Sequence, residues 1–174
     1  HWDNWTFDNN FVLLKLPSDS LEVNEQDSTS TVYSVVCVGS VPSSNVTVTV
    51  TPDSQTSING AGAGVPYPLT FTSGNYSTPQ PVTVAAFDDS NVEGPHTSTI
   101  THTASSSDAS YNQVSTAPLT VNILDNDVKS VLLSPLSVAV DEEGETTDTY
   151  TVVLGAAPTA NVTVTAAPAS ADVT

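Results

Sequence analysis

Two acidic clusters follow strand-like runs in this chain. Asp88, Asp89 and Glu93 come after Pro81-Val-Thr-Val-Ala-Ala-Phe87, and Asp125, Asn126 and Asp127 come after Leu119-Thr-Val-Asn-Ile-Leu124. One further strand-like segment, residues 95–104, lies between them. If the three strands run up, down and up, both clusters reach the same end of the domain. Carboxylates gathered there repel one another unless a cation sits between them. Ca²⁺, which takes six to eight oxygen ligands, suits such a group. The plainer alternative is a set of solvated loop tips, because Asp and Asn favour turns in any case.

Other chemistry has little to stand on. There is no Gly-x-Ser-x-Gly elbow, no glycine-rich phosphate loop, no paired-cysteine zinc motif and no EF-hand loop. An enzyme is therefore not expected. Cys37 shares a strand face with Val35 and Tyr33, which predicts a buried structural thiol. His96 and His102 are six apart on one strand, hence on one face; they are read as surface or rim residues, with a ligand role as the alternative. A copper-chelating His1 would need a true amino terminus and a second histidine, and a chain boundary explains it more simply. Trp2, Trp5 and Phe7 suit either a carbohydrate platform or an interdomain contact.

The formal charge of the 174 residues is −17, with Lys15 and Lys129 the only strong cations. Nucleic acid and anionic membrane surfaces are thus poor partners, while cations are favoured. Charged residues make up only 12% of the chain, which argues against a charge-rich disordered tail. One cysteine allows no internal disulfide, and no apolar run is long enough to span a membrane, so direct insertion is not expected.

Alternation marks the strands that must position the acidic groups. Val46, Val48 and Val50 share a face, as do Leu119, Val121 and Ile123, and Val82 and Val84. Residues 11–16, 20–24, 31–38, 66–72 and 95–104 complete the expected set, and Ile58-Asn-Gly-Ala-Gly-Ala-Gly64 reads as a flexible loop. No segment shows a helical period. The expectation is an all-β antiparallel sandwich. The chain also repeats itself. Leu21-Glu-Val-Asn-Glu25 aligns with Val138-Ala-Val-Asp-Glu142, Tyr33-Ser-Val-Val-Cys37 with Tyr150-Thr-Val-Val-Leu154, and Asn45-Val-Thr-Val-Thr49 with Asn161-Val-Thr-Val-Thr165. This predicts a lead-in over 1–10, a first domain over 11–127 and a partial second domain over 128–174.

The blocks Leu69-Thr-Phe-Thr, Pro79-Gln-Pro-Val-Thr-Val, Asp88-Asp-Ser-Asn-Val-Glu-Gly94, His96-Thr-Ser-Thr-Ile-Thr-His102 and Ile123-Leu-Asp-Asn-Asp127 resemble the Calx-beta domain. That module occurs in sodium/calcium exchangers and in tandem arrays of surface proteins. The resemblance implies an immunoglobulin-like sandwich of about seven strands with Ca²⁺ at one end. Carried over by motif, the ligands are Glu25, Asp88, Asp89, Glu93, Asp125 and Asp127, with an oxygen from Asn126. Repeat two offers Glu142 or Glu143 at the position of Glu25. Where many members carry Gly-x-Asp-Tyr, this chain has residues 51–64, in which Asp53 is the substitute. The expected role is a calcium-stiffened structural or adhesive repeat, extracellular or at the cell surface, with neighbouring repeats of the same chain as partners. The alternatives are a regulatory calcium sensor, or a filament of identical subunits built by strand complementation.

Overall fold

The computed structural model describes residues 5–6, 12–17, 20–26, 29–141, 143–144 and 146–167. His1, Trp2, Phe7, Glu142 and residues 168–174 lie outside the described residues. The strands are β1 (Trp5–Thr6), β2 (Val12–Lys15), β3 (Leu21–Asn24), β4 (Ser30–Cys37), β5 (Val46–Pro52), β6 (Thr56–Ile58), β7 (Tyr67–Phe71), β8 (Gln80–Ala86), β9 (His96–Ser106), β10 (Leu119–Leu124), β11 (Val131–Ser134) and β12 (Thr151–Leu154). The chain forms two compact units, one of residues 1–89 and 93–126, the other of residues 90–92 and 127–174.

In the first unit two five-stranded sheets run β1-β2-β4-β8-β6 and β3-β10-β9-β5-β7. Period-two patterning accounts for their inner faces. Valines of β5 alternate with half-exposed threonines, and β9 and β10 alternate buried and exposed along their length. The buried side includes Tyr33, Val35 and Val82 from one sheet and Val48, Phe71, Ile100 and Val121 from the other. The fold is the expected all-β sandwich. It carries ten strands among the described residues, against the roughly seven that the resemblance implied; the two-residue β1 and three-residue β6 are too short for alternation to reveal.

Three local features differ from the sequence reading. The pair β3–β10 is parallel, with Leu21 opposite Val121 and Asn24 opposite Leu124. Residues 58–64, expected as a flexible loop, are shaped by backbone hydrogen bonds from the Ala61 N–H to the Ile58 carbonyl and from the Gly64 N–H to the Thr56 carbonyl. β6 pairs with β8, Asn59 and Gly60 take left-handed conformations, and the Asn59 Oδ1 accepts a hydrogen bond from the Thr83 N–H at 2.8 Å. His102 is a core residue, not a rim residue. It is 1% exposed, and the Tyr33 hydroxyl donates to its Nε2 across the sandwich at 2.6 Å. Thr116 Oγ1 donates to the Ala117 carbonyl and so accepts from His102 Nδ1, 3.4 Å away, which leaves Nε2 to accept from the Tyr33 hydroxyl; burial pushes that phenol's pKa far up and keeps it protonated. Cys37 is fully buried, which pushes its thiol up to about 12.

In the second unit β11 and β12 form an antiparallel pair, with Val131 opposite Leu154 and Ser134 opposite Thr151. This reproduces the pairing of β2 with β4, where Val12 faces Cys37 and Lys15 faces Ser34. Residues 161–165 repeat the β5 sequence yet form no strand. β5 is held between β7 and β9, and no equivalent strands flank residues 161–165 among the described residues.

Burial lowers the His102 pKa from 6.5 to about 4. Between those values the unfolded chain binds a proton that the folded chain refuses, so stability falls as pH drops through this window. The shift corresponds to about 3 kcal/mol at its full extent. Urea melts should therefore show wild type losing about 1–3 kcal/mol more than His102→Gln between about pH 7 and about pH 4.5. Equal losses would mean that His102 accepts its proton in place.

Candidate metal centre

The parallel pairing of β3 with β10 builds this end of the first unit. Parallel strands finish at the same end, so the residues that follow Asn24 and Leu124 emerge side by side. The Glu25 N–H continues the ladder to the Leu124 carbonyl at 3.2 Å. Glu25 and Asp125 consequently bring carboxylate oxygens within 4.8 Å of each other. β9 runs antiparallel to β10 with His96 opposite Ile123, so His96 enters at the same end.

The loop between β8 and β9 is tied to this end from two sides. Asp125 Oδ2 accepts the N–H groups of Glu93 at 2.7 Å and Gly94 at 2.5 Å. Gly94 has φ of 70°, a left-handed conformation that turns the chain there and that favours glycine. Asn126 Nδ2 donates to Asp88 Oδ1 at 3.3 Å. The two acidic clusters therefore do meet. The Asn126 Oδ1 is buried with no hydrogen-bond partner among the described residues, an oxygen suited to a donor or a cation.

Glu25 is 4% exposed. Its pKa is raised above the ordinary carboxylate value, first by burial and next by Asp125, with further contributions from Asp89 and Glu93; His96 opposes them. Among the described residues no hydrogen-bond donor meets its carboxylate. His96 Nε2 lies 3.9 Å from Oε1. A divalent cation would relieve both the desolvation and the mutual repulsion, so the residues present fit such an ion.

Each expected ligand has a definite place. Glu25, Asp88, Asp89, Glu93, Asp125 and Asn126 gather at this end. Asp127 opens the second unit and is described with it. Asp53 is not brought into the group. Its Oδ1 accepts from Ser98 Oγ at 2.6 Å and from the Gln55 N–H at 3.1 Å, and its Oδ2 from the Thr99 N–H at 2.7 Å. Thr56 Oγ1 completes this chain at 2.8 Å from Ser98 Oγ, which joins the two sheets. In the second unit Glu143 is exposed, and its N–H donates to Asp141 Oδ1 at 3.0 Å.

Two further residues stand at the site: His96, for which a ligand role was the alternative reading, and Gln55, which was not read from the sequence. His96 lies with Nε2 3.5 Å from Glu93 Oε2. Gln55 Nε2 stands between them, 2.8 Å from Glu93 Oε2 and 3.1 Å from His96 Nε2. The three-residue step from Glu93 to His96 was the available signal for the histidine. Nothing in the pattern marked Gln55.

Neither a protein-family model nor a curated protein matches the sequence. Among solved structures the chain is similar to the apo form of a Calx CBD1 domain, with 22% identity and a TM-score of 0.47, over 68% of this chain and all of that one. It is also similar to CBD12 from CALX1.2, at 21% identity and a TM-score of 0.43, and to the calcium binding domain CBD12 of CALX1.1, at 21% and 0.41. Each of these two matches spans 66% of this chain and 44% of the other. The extracellular or cell-surface location expected from the sequence is withdrawn: the solved structures that the chain is similar to are Calx calcium-binding domains, which do not support it.

Because its pKa is raised, Glu25 protonates more readily in the folded chain than in the unfolded one. Its ionised form therefore weakens the metal-free protein at neutral pH. In chelator, Glu25→Gln should melt at a higher temperature than wild type near pH 7, and the gap should close as pH falls through the carboxylate range. A lower melting temperature for the variant would show that Glu25 is held by favourable contacts. Gly94→Ala should cost about 1 kcal/mol in a urea melt, the usual penalty for a left-handed non-glycine residue. An unchanged midpoint would show that the loop refolds around it.

Proposed function

We propose that the first unit is a calcium-binding domain whose ion is held by Glu25, Asp88, Asp89, Asp125 and Asn126, with Glu93 at the margin. The observation that carries the reading is the Glu25 carboxylate, nearly fully buried, without a donor among the described residues and surrounded by other carboxylates. Such a group is costly to keep ionised, and a hard divalent cation with oxygen ligands removes the cost. Asp127 is an expected further ligand. The regulatory role, in which calcium changes the loop between β8 and β9, is the one that the Calx resemblance implies. Binding would tie that loop to the ends of β3 and β10, so binding energy would become local folding energy. Partnership with adjacent repeats accords with the tandem-domain structures that the chain resembles.

A calorimetric Ca²⁺ titration of the chelator-treated chain tests this, with a thermal melt at each point. Saturable binding should raise stability by about 2.7 kcal/mol at a hundredfold excess over the dissociation constant. Asp88→Asn combined with Asp125→Asn should abolish the effect. A dissociation constant of roughly 10⁻⁷–10⁻⁵ M fits a regulatory domain, whereas 10⁻⁴–10⁻³ M would sink that role and leave a structural one. No binding and an unchanged melt would overturn calcium altogether.

A further inference from the structure

We propose that His96, Glu25 and Glu93 form a transition-metal site, selective for Zn²⁺, beside the carboxylates assigned to calcium. The inference does not rest on calcium binding, although the two sets share Glu25 and Glu93. Calcium takes oxygen ligands, so the calcium reading leaves the imidazole without a role. Zinc readily takes imidazole nitrogen together with carboxylate oxygen.

The imidazole is oriented for metal. His96 Nδ1 lies 2.9 Å from the Gly94 carbonyl, which can only accept, so Nδ1 carries the proton. Gln55 Nε2 lies 3.1 Å from His96 Nε2 and can only donate, so Nε2 presents its lone pair. A backbone carbonyl that holds the far N–H is the usual support of a metal-bound histidine. That lone pair faces Glu93 Oε2 at 3.5 Å and Glu25 Oε1 at 3.9 Å. Ligands about 2.0–2.2 Å from a tetrahedral zinc ion lie roughly 3.3–3.6 Å apart. The three donors are thus close to a zinc triad.

Two observations besides the cluster itself point to an ion. Glu25 is 4% exposed and its carboxylate meets no hydrogen-bond donor among the described residues, yet it is turned towards His96 Nε2. The Gln55 amide, in turn, bridges Glu93 Oε2 and His96 Nε2 with two N–H donors, as a small cation would. Turning the amide over would exchange Nε2 for Oε1. A carbonyl oxygen would then stand against a carboxylate oxygen and the nitrogen lone pair, an arrangement that only a cation makes favourable. With the amide turned over, Gln55 Oε1 would be available as a fourth ligand.

Zinc titration of the untagged 174-residue chain, read by calorimetry and by NMR of the imidazole nitrogens, tests the proposal. The expected result is one Zn²⁺ per chain with a shift at His96 Nε2. Binding should weaken by about tenfold or more in His96→Ala, and stay within about threefold in Glu22→Gln, an exposed position of β3 outside the site. Absence of zinc binding, equal binding by His96→Ala, or a shift at another histidine alone would overturn it. If His96→Ala fails to fold by circular dichroism, the wild-type nitrogen shift decides. A parallel Ca²⁺ titration separates the two readings. Zinc without calcium leaves this inference standing and removes the calcium reading; calcium without zinc does the reverse.

Discussion

The site depends on one pairing, the parallel alignment of β3 with β10. Had β3 run antiparallel, Glu25 would emerge at the opposite end from Asp125, and no set of charges could bring them together. The chain reaches this arrangement by crossing between sheets after β2, which lies beside β4, into β3 at the edge of the other sheet. The short segment 16–20 separates the two strands. A few residues of ladder thereby decide where the acidic groups of distant segments meet.

That arrangement carries an electrostatic cost. A nearly buried carboxylate stands near Asp125, Asp89 and Glu93, and only His96 opposes their repulsion. The fold bears this because the sandwich beneath is well satisfied. Tyr33 bonds His102, Thr56 and Ser98 lead to Asp53, and Tyr111 donates to the Ser40 carbonyl. Polar groups in the core are paired, whereas at the β3 and β10 end they are crowded. This contrast distinguishes a place for an ion from a merely polar interior.

Asp53 and Gln55 show how narrowly the chemistry is divided. They are two residues apart on the connection between β5 and β6. Asp53, although exposed, spends both oxygens on β9 and on the turn, while Gln55 reaches the Glu93 and His96 side chains. The residue type most suggestive of metal binding is the structural one. The amide, which sequence reading passes over, stands at the site.

Composition and alternation by themselves determined that this is a β-sandwich of low positive charge, because a period of two with valine and threonine leaves few other ways to bury a core. They also revealed both acidic clusters, since strand exits are visible as the end of a pattern. Only tertiary structure decided the rest. Residues 161–165 repeat the sequence of β5, yet they form no strand, and no strands flank them among the described residues, because a strand exists through its neighbours. His102 and His96 share one strand face, yet one is enclosed by both sheets and the other stands at the acidic end. Local pattern tells which side of a strand a residue occupies. Which end it reaches, and what it meets there, follows from pairings between segments far apart in the chain.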